Sequence, residues 1–388
     1  MQTRSRDLRD LIMTNDQPQP LRGRIASVTV RGFRSLAKIE NLQLPQLVVL
    51  IGANGSGKSN LIRFFQMLGW MLRGQNLQDF VLRQGGGDDQ LFMGVRTTPR
   101  LDAEIHIETH AGRNDYRFAL SHVAGDTLML VDEAYRFSAR DRDGLNQWLS
   151  LPMPAKEAGI ADQMDRDQTA RVIVRLLRSC VTYQFHDTSE KALIKQRWDL
   201  TENAFLRSDG ANLAPILYRL REREPLRYRL IVKQIARVLP NFKDFELKPA
   251  YDKLALRWIA TGADKSFGAH LTSDGSLRLF CLLTLLNLPD EMLPDILFLD
   301  EPELGLHPHA ISLLAEMIQR VANSRQVLLA TQSPLLVDCF ELGNIIVADI
   351  VNNATRLRSL SAQEYQTWLA DDYLPSDLWL KQPVGAHR

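Results

Sequence analysis

Apolar residues recur along this chain with three different spacings, and the changes of spacing divide it into blocks. "RIASVTVRGFRSL", residues 24–36, alternates apolar with polar positions and predicts a first strand, whereas "LPQLVVLIG" holds an unbroken apolar run, Leu47 to Ile51, of a strand buried on both faces. "SNLIRFFQMLGWMLRG" then takes helical spacing with one apolar face and a terminal glycine. From about 98 to 138, three or four period-two strands separated by Gly-Arg-Asn-Asp and Ala-Gly-Asp turns predict an antiparallel meander. "DQTARVIVRLLRSC" predicts a helix, "CVTYQFHDTS" a strand running into a loop, residues 211 to 239 mostly helix, and "FKDFELKPAYDKLALRWIA" further strands. "LTSDGSLRLFCLLTLLN", Leu271 to Asn287, is a polar turn opening into an apolar helix, and "DILFLDEPELGLHP", Asp295 to Pro308, is an apolar strand ending in two acids.

The break after the second strand carries the clearest chemistry. Gly52, Ala53, Asn54, Gly55, Ser56, Gly57, Lys58 and Ser59 complete the pattern G-x-x-x-x-G-K-S, with Asn60 in the helix that follows. Glycines let successive backbone N–H groups point inward at phosphate oxygens, and the helix N-terminus adds partial positive charge. Lys58 is placed to reach β- and γ-phosphates and Ser59 to give its hydroxyl to Mg²⁺. The alternative is a glycine-rich turn without chemistry, which the buried strand ahead of it disfavours.

Composition alters little. The 388 residues suffice for two or three domains or one large one with insertions, and the net charge of +1 gives no global steering toward nucleic acid or membrane. Cys180, Cys281 and Cys339 are isolated and read as thiols of a reducing compartment. The first 20 residues lack an apolar signal core, and the longest apolar stretch, around Leu279 to Leu288, is short of the ~20 residues that span a bilayer. A soluble cytoplasmic protein is expected.

The acids at the end of "DILFLDE" complete the site: Asp300 as a ligand of Mg²⁺ and Glu301 as the base that polarises an attacking water, in the manner of a Walker B strand. Taken alone, Ser273-Asp274-Gly275 is a good helix cap. His307 and His309 are close enough in sequence to raise a metal pair, but beside this strand an interface loop is the better reading.

Together these segments resemble the ATP-binding cassette (ABC) ATPases of the RecF, SMC and OLD group, and specifically the stand-alone AAA-family predicted ATPases of prokaryotes. The resemblance runs in order through "RGFRSL", "GANGSGKSNL", "LRQGGGDDQLFMG", "YQFHDTS", "SDGANLAPIL", "LTSDGSLRLFCLL", "LFLDEPELGLHPHAISLLAEMI" and "QVLLATQSPLLVD", and extends to "EYQTWLADDYLPSDLWLKQPVG". It implies an α/β fold: an ABC-type P-loop ATPase head with an antiparallel β-lobe and a compact helical lid, without a coiled-coil arm. Ser273, Asp274, Gly275 and Ser276 would be the ABC signature, reaching the ATP held by a second subunit, so that a homodimer sandwiches ATP and Mg²⁺. Gln332 stands in "TQSP" where the family usually has a histidine that senses the γ-phosphate; glutamine donates a hydrogen bond but carries no proton, which points to slower turnover. Gln184 is the candidate Q-loop glutamine, and Arg34 a candidate nucleotide contact.

The expected organisation is a flexible tail over 1–20, a P-loop lobe with meander over 21–138, and a mixed insertion and lid over 139–268. The signature helix, Walker B and core strands follow over 269–350, and a C-terminal helical segment over 351–388. Relatives of the OLD type append a Toprim nuclease; about 50 residues follow "TQSPLLVD", and the pairs Asp141/Asp143 and Asp165/Asp167 read as solvated, so no nuclease activity is expected. A separately encoded effector, in antiphage defence, is the expected partner. DNA is the other candidate, through "YRLREREPLRYRLIVKQIARVLP", where Arg219, Arg221, Arg223, Arg227, Arg229, Lys233 and Arg237 need one shared face. A DNA-binding clamp in repair, with incidental hydrolysis, is the alternative function.

Overall fold

The computed structural model describes residues 23–73, 77–140, 144–360 and 374–381; the expected tail and the pair Asp141/Asp143 lie outside these. The chain opens with β1 (Gly23–Phe33), β2 (Leu36–Gln43), the buried β3 (Leu47–Ile51), α1 (Lys58–Leu72) and α2 (Leu77–Arg83). Next come β4 (Arg100–Thr109), β5 (Gly112–Val123), β6 (Thr127–Ala139) and β7 (Leu149–Ser150), then α3 (Gln168–Arg178) and β8 (Val181–Tyr183). The lid contains β9 (Arg197–Asp199), α4 (Leu213–Arg223), α5 (Pro225–Val238), β10 (Phe242–Phe245), β11 (Lys253–Ala255), β12 (Arg257–Ala260) and β13 (Ser266–Gly268). The chain returns through α6 (Asp274–Leu285), β14 (Ile296–Asp300), α7 (Pro308–Ala322), β15 (Gln326–Thr331), α8 (Pro334–Val337), β16 (Ile345–Val351) and β17 (Ala354–Ser359).

Two six-stranded sheets organise these elements. One is antiparallel, in the order β2-β1-β4-β5-β6-β7; the other runs β17-β16-β3-β15-β14-β8, parallel throughout except for β17. Val48, Leu50, Phe298, Leu328 and Ile346 face the layer of α1 and α3 beneath the antiparallel sheet, and Val49, Ile51, Leu299, Leu329 and Val347 face the α4–α8 side. Both faces of the parallel sheet are therefore covered, which is why its strands read as unbroken apolar runs. The lid is fastened to α6 by aromatic packing: the rings of Phe242 and Phe245 lie 5.3 Å and 5.1 Å from that of Phe280. Among the described residues there is no coiled-coil arm.

Two local readings change. The first meander turn falls at His110–Ala111, and the Gly-Arg-Asn-Asp run lies inside β5. Its polar residues are tolerated there because Asp115, though fully buried, accepts from His106, Arg113 and Arg136 on neighbouring strand positions. Residues 354–359 form a strand where a helical segment was expected. Val351 pairs with Ala354 across Asn352 and Asn353, whose φ values of 53° and 63° give the two left-handed positions a tight hairpin needs. The chain is helical again at Pro375–Lys381.

Candidate functional site

Register places the loop and the acids at one height. Asp300 pairs with Ala330 and Ala330 with Leu50, so β14, β15 and β3 all end beside Gly52. With β15 between them, the ends of β3 and β14 stand about 10 Å apart, room for a phosphate and its metal.

The loop is held open by its glycines. Gly55 and Gly57 take φ of 77° and 95°, and a Cβ on Gly57 would collide with the hydroxyls of Thr355 and Ser35. Ser35 Oγ and Thr355 Oγ1 are 2.6 Å apart; Thr355 donates to the Ser56 carbonyl (3.0 Å), and Asn60 Nδ2 donates to Ser35 Oγ (2.7 Å). Ala53, Asn54, Gly55 and Ser59 are exposed at the crest, while Ser56 is buried and its hydroxyl has no partner. Lys58 Nζ folds back onto the carbonyls of Gly52 (2.6 Å) and Ala53 (3.0 Å). Burial holds this ammonium below the usual lysine pKa, opposed by the charges of Glu301, Asp300 and Glu303.

The carboxylates are arranged in depth. Asp300 accepts from Gln184 Nε2, and Glu301 accepts from Gln332 Nε2. Burial raises the Asp300 pKa; the Gln184 bond opposes this, and the charge of Glu301 adds to it. Glu301 sits at φ 45°, left-handed backbone that turns the chain sharply off β14. Glu303, which the sequence did not single out, is half-buried beside them: it accepts from Thr331 Oγ1 at 2.5 Å, its Oε2 has no partner, and desolvation raises its pKa as well.

A buried hydroxyl without a partner, carboxylates whose pKa burial raises, and an ammonium satisfied only by loop carbonyls fit a phosphate with a hard divalent cation. The oxygen donors of Ser59 and Asp300 suit Mg²⁺.

Other candidates lie further out. Arg34 is engaged elsewhere: Nε and Nη2 donate to Gln90 Oε1 (3.1 and 3.0 Å), and Nη2 also to Gln84 Oε1 (3.2 Å). Ser273 caps α6, its Oγ accepting from Ser276 N (3.3 Å), with Asp274 exposed. Among the described residues this turn makes no hydrogen bond to the chain's own phosphate loop. A Cβ on Gly275 would stand 2.5 Å from the Gly305 carbonyl. Leu271 and Leu304 beside the turn are 65% and 43% exposed. His307 caps α7, accepting from His309 N at 3.3 Å, and no cluster of metal-ligating side chains occurs among the described residues. Asp167 is likewise a cap, accepting from Ala170 N at the start of α3. In the basic run, Arg219, Arg221 and Arg227 bond to the carbonyls of Asn203, Leu247 and Asn287, whereas Arg229, Lys233 and Arg237 form an exposed stripe on α5. No helix among the described residues is long and apolar enough to cross a membrane.

A phosphate loop after the central strand of a mostly parallel sheet, with acids two strands away, defines a P-loop nucleotide-binding ATPase head. The family model described as "AAA domain, putative AbiEii toxin, Type IV TA system" matches residues 47–151 and 173–338, more than half the chain. The chain belongs to this family of AAA-type ATPases, and its fold is that of SMC head domains. Among solved structures, the Smc head bound to the C-winged helix domain of ScpA superposes with a TM-score of 0.56 at 15% identity, covering 88% of this chain and 99% of that one. The Smc head with an extended coiled coil bound to the C-terminal domain of ScpA, from Pyrococcus furiosus, gives 0.52 at 15% identity over 90% and 99%. No curated protein matches the sequence.

Proposed function

We propose that this protein is an ATP-dependent dimerisation switch that hydrolyses ATP to ADP and phosphate. The observation that carries the reading is the convergence of Lys58, Asp300, Glu301, Gln332 and Gln184 at the C-terminal ends of adjoining parallel strands. Backbone N–H groups of Gly52 to Asn60 bind the phosphates, and Lys58 leaves its carbonyl partners to reach them. Ser59 and Asp300 would hold Mg²⁺, which would supply neutralising charge to the phosphate oxygens. Glu301 accepts a proton from the attacking water as that oxygen bonds the γ-phosphorus. The bond from that phosphorus to the bridging oxygen breaks, and ADP leaves. Gln332 orients Glu301 without exchanging protons itself.

Ser273 to Ser276 act on the nucleotide of a second copy, with Leu271 and Leu304 available for the contact. The exposed turn, free of its own phosphate loop, supports this arrangement. ATP then joins two chains and hydrolysis releases them, in antiphage defence or a DNA-related process with a separate effector. The Smc heads of similar fold, each bound to a ScpA domain, agree with a partner-carrying head. A DNA-binding clamp is the second reading, favoured by the exposed stripe Arg229, Lys233 and Arg237.

The test is sedimentation of Glu301→Gln with and without Mg·ATP. An ATP-induced dimer, lost when Ser273 is also replaced by Phe, is expected. A mass that ignores ATP refutes the switch, and DNA binding that tightens with non-hydrolysable ATP favours the clamp.

A further inference from the structure

The parallel sheet ends at β8, which among the described residues pairs with β14 alone. Its alternate amides and carbonyls face outward; no described main-chain group bonds Val181 to Tyr183 on that side, and the edge closes at the next residue, where Gln184 N donates to the Ser208 carbonyl at 3.1 Å. A groove runs along this edge. Cavities of about 670 Å³ and 160 Å³ share Trp70, Arg73, Val181 and Ser208, and one of about 740 Å³ continues the groove past Arg178 and Leu293. Thr182 Oγ1, buried and without a partner, lies in the wall of the smaller cavity, and Phe205, 62% exposed, lines the larger. An open edge of this kind is usually charged, kinked or covered, because it offers a template for another strand.

The rim carries an excess of arginines, of which Arg207 is paired with Asp209 at 3.9 Å. Arg73 donates to the carbonyls of Arg178 (2.7 Å) and Cys180 (3.2 Å), and Arg178 to that of Leu72. Arg171 donates to the carbonyl of Met164 at 2.9 Å. Arg73, Arg171 and Arg178 have no carboxylate within ion-pairing distance among the described residues. Arg171, Arg175 and Arg178 share one helical face of α3. The carboxylates along the groove, Asp209, Asp290, Glu291 and Asp295, are outnumbered by its arginines.

We propose that β8 and this groove dock an extended acidic peptide segment of a partner protein by strand addition. The peptide backbone pairs with the outward amides and carbonyls of Val181 to Tyr183, and its side chains alternate between the apolar wall and the arginine rim. A nucleic acid has no matching row of backbone donors and acceptors. Gln184, on Asp300, follows β8 directly, so an added strand adjoins the nucleotide site; that coupling rests on the ATPase reading, and the docking does not.

The test is fluorescence anisotropy, without nucleotide, of a fluorescein-labelled octapeptide alternating Glu or Asp with Val. Two control peptides carry Lys at the acidic positions or N-methyl groups on alternate amides. Binding of the acidic peptide, its loss on N-methylation, and a weakening of about tenfold in Arg175→Glu are expected, the last corresponding to one charge reversal at a partly screened site. Arg175 is exposed with no hydrogen-bond or ion-pair partner in the described chain, so the variant keeps the fold, checked by circular dichroism. Hydrogen exchange should show new protection at Val181 to Tyr183. Equal binding of the acidic and lysine peptides, indifference to N-methylation, or no binding overturns the proposal. Self-association or single-stranded DNA binding abolished by Arg175→Glu would assign the groove to a second copy or to nucleic acid and also overturn it.

Discussion

Glu301 offers a test in which stability and catalysis separate. Its φ of 45° is left-handed, and its N–H is fixed on the Ala330 carbonyl at 2.8 Å, so the turn cannot relax without breaking the end of the sheet. Replacing Glu301 by Ala or by Gly removes the same carboxylate and strands the same Gln332, so these losses cancel between the two variants. What differs is the backbone. A left-handed conformation costs an L-residue about 1–2 kcal/mol, and glycine's extra freedom in the unfolded chain takes back roughly 0.5–1 kcal/mol. Glu301→Gly should therefore be the more stable by about 0.5–1 kcal/mol, the reverse of the order at an ordinary position. Urea unfolding without nucleotide measures this from the midpoints, provided the two variants share a slope. Turnover should fall in both by roughly 10²–10⁴-fold if the carboxylate is the base. An alanine variant equal to or more stable than the glycine variant would refute the strain; undiminished hydrolysis would refute the role.

Three further outcomes follow. Gly57→Ala meets the Thr355 and Ser35 hydroxyls and a φ of 95°, so Gly57→Ala with Thr355→Ala should regain only part of the lost stability, leaving at least about 1–2 kcal/mol of backbone strain, with the Ser35 contact added to it, in thermal or urea unfolding. The Asp300 pKa is raised in the folded protein, so the penalty on the fold grows as pH rises above the unfolded carboxylate value and is complete once pH exceeds the raised one. Without nucleotide, Asp300→Asn should be more stable than the wild type at neutral pH, and unfolding curves should show the gap closing as pH falls through the folded value to the ordinary carboxylate range near about 4. Gly275→Ala pushes a methyl group against the Gly305 carbonyl, so it should abolish the ATP-induced dimer of Glu301→Gln in sedimentation while calorimetry still finds ATP binding.

What the sequence disclosed follows the reach of each interaction. The phosphate loop, β14 and the turn before α6 are local: their glycines, apolar runs and caps are set by neighbours within a few residues, and each stands where the pattern put it. Gln184 had no local signature; its bond to Asp300 joins strands brought together by the sheet order. Glu303 reads as one more polar residue in "DEPELG", and only the sheet order brings Thr331 of β15 to bond it. Thr355 was hidden behind an expected helix, although Asn352-Asn353 between apolar residues is a hairpin signal that could have been weighed. Arg34 was placed near the nucleotide by resemblance, whereas Gln84 and Gln90, far along the chain, claim its guanidinium.

These long-range bonds also tie the loops to one another. Gln184 after β8 holds Asp300 on β14, Gln332 after β15 holds Glu301 after β14, and Thr331 holds Glu303. Arg278, on α6, adds the exposed turn to this set: it donates to the carbonyls of Phe185 (3.1 Å) and His186 (3.3 Å) after β8, and of Leu304 (3.1 Å) after β14. A displacement of the Ser273–Ser276 turn must therefore stretch bonds to the loop that carries Gln184 and to the loop that carries Glu301 and Glu303. On the proposed reading, contact with a second copy and binding of nucleotide act on one bonded assembly. Linkage then requires reciprocity: if ATP strengthens pairing of two chains, pairing must strengthen retention of ATP by the same factor. The acids, with Lys58 partly desolvated among them, give that exchange its source, since phosphate and cation relieve charges that the lone chain holds buried and incompletely matched.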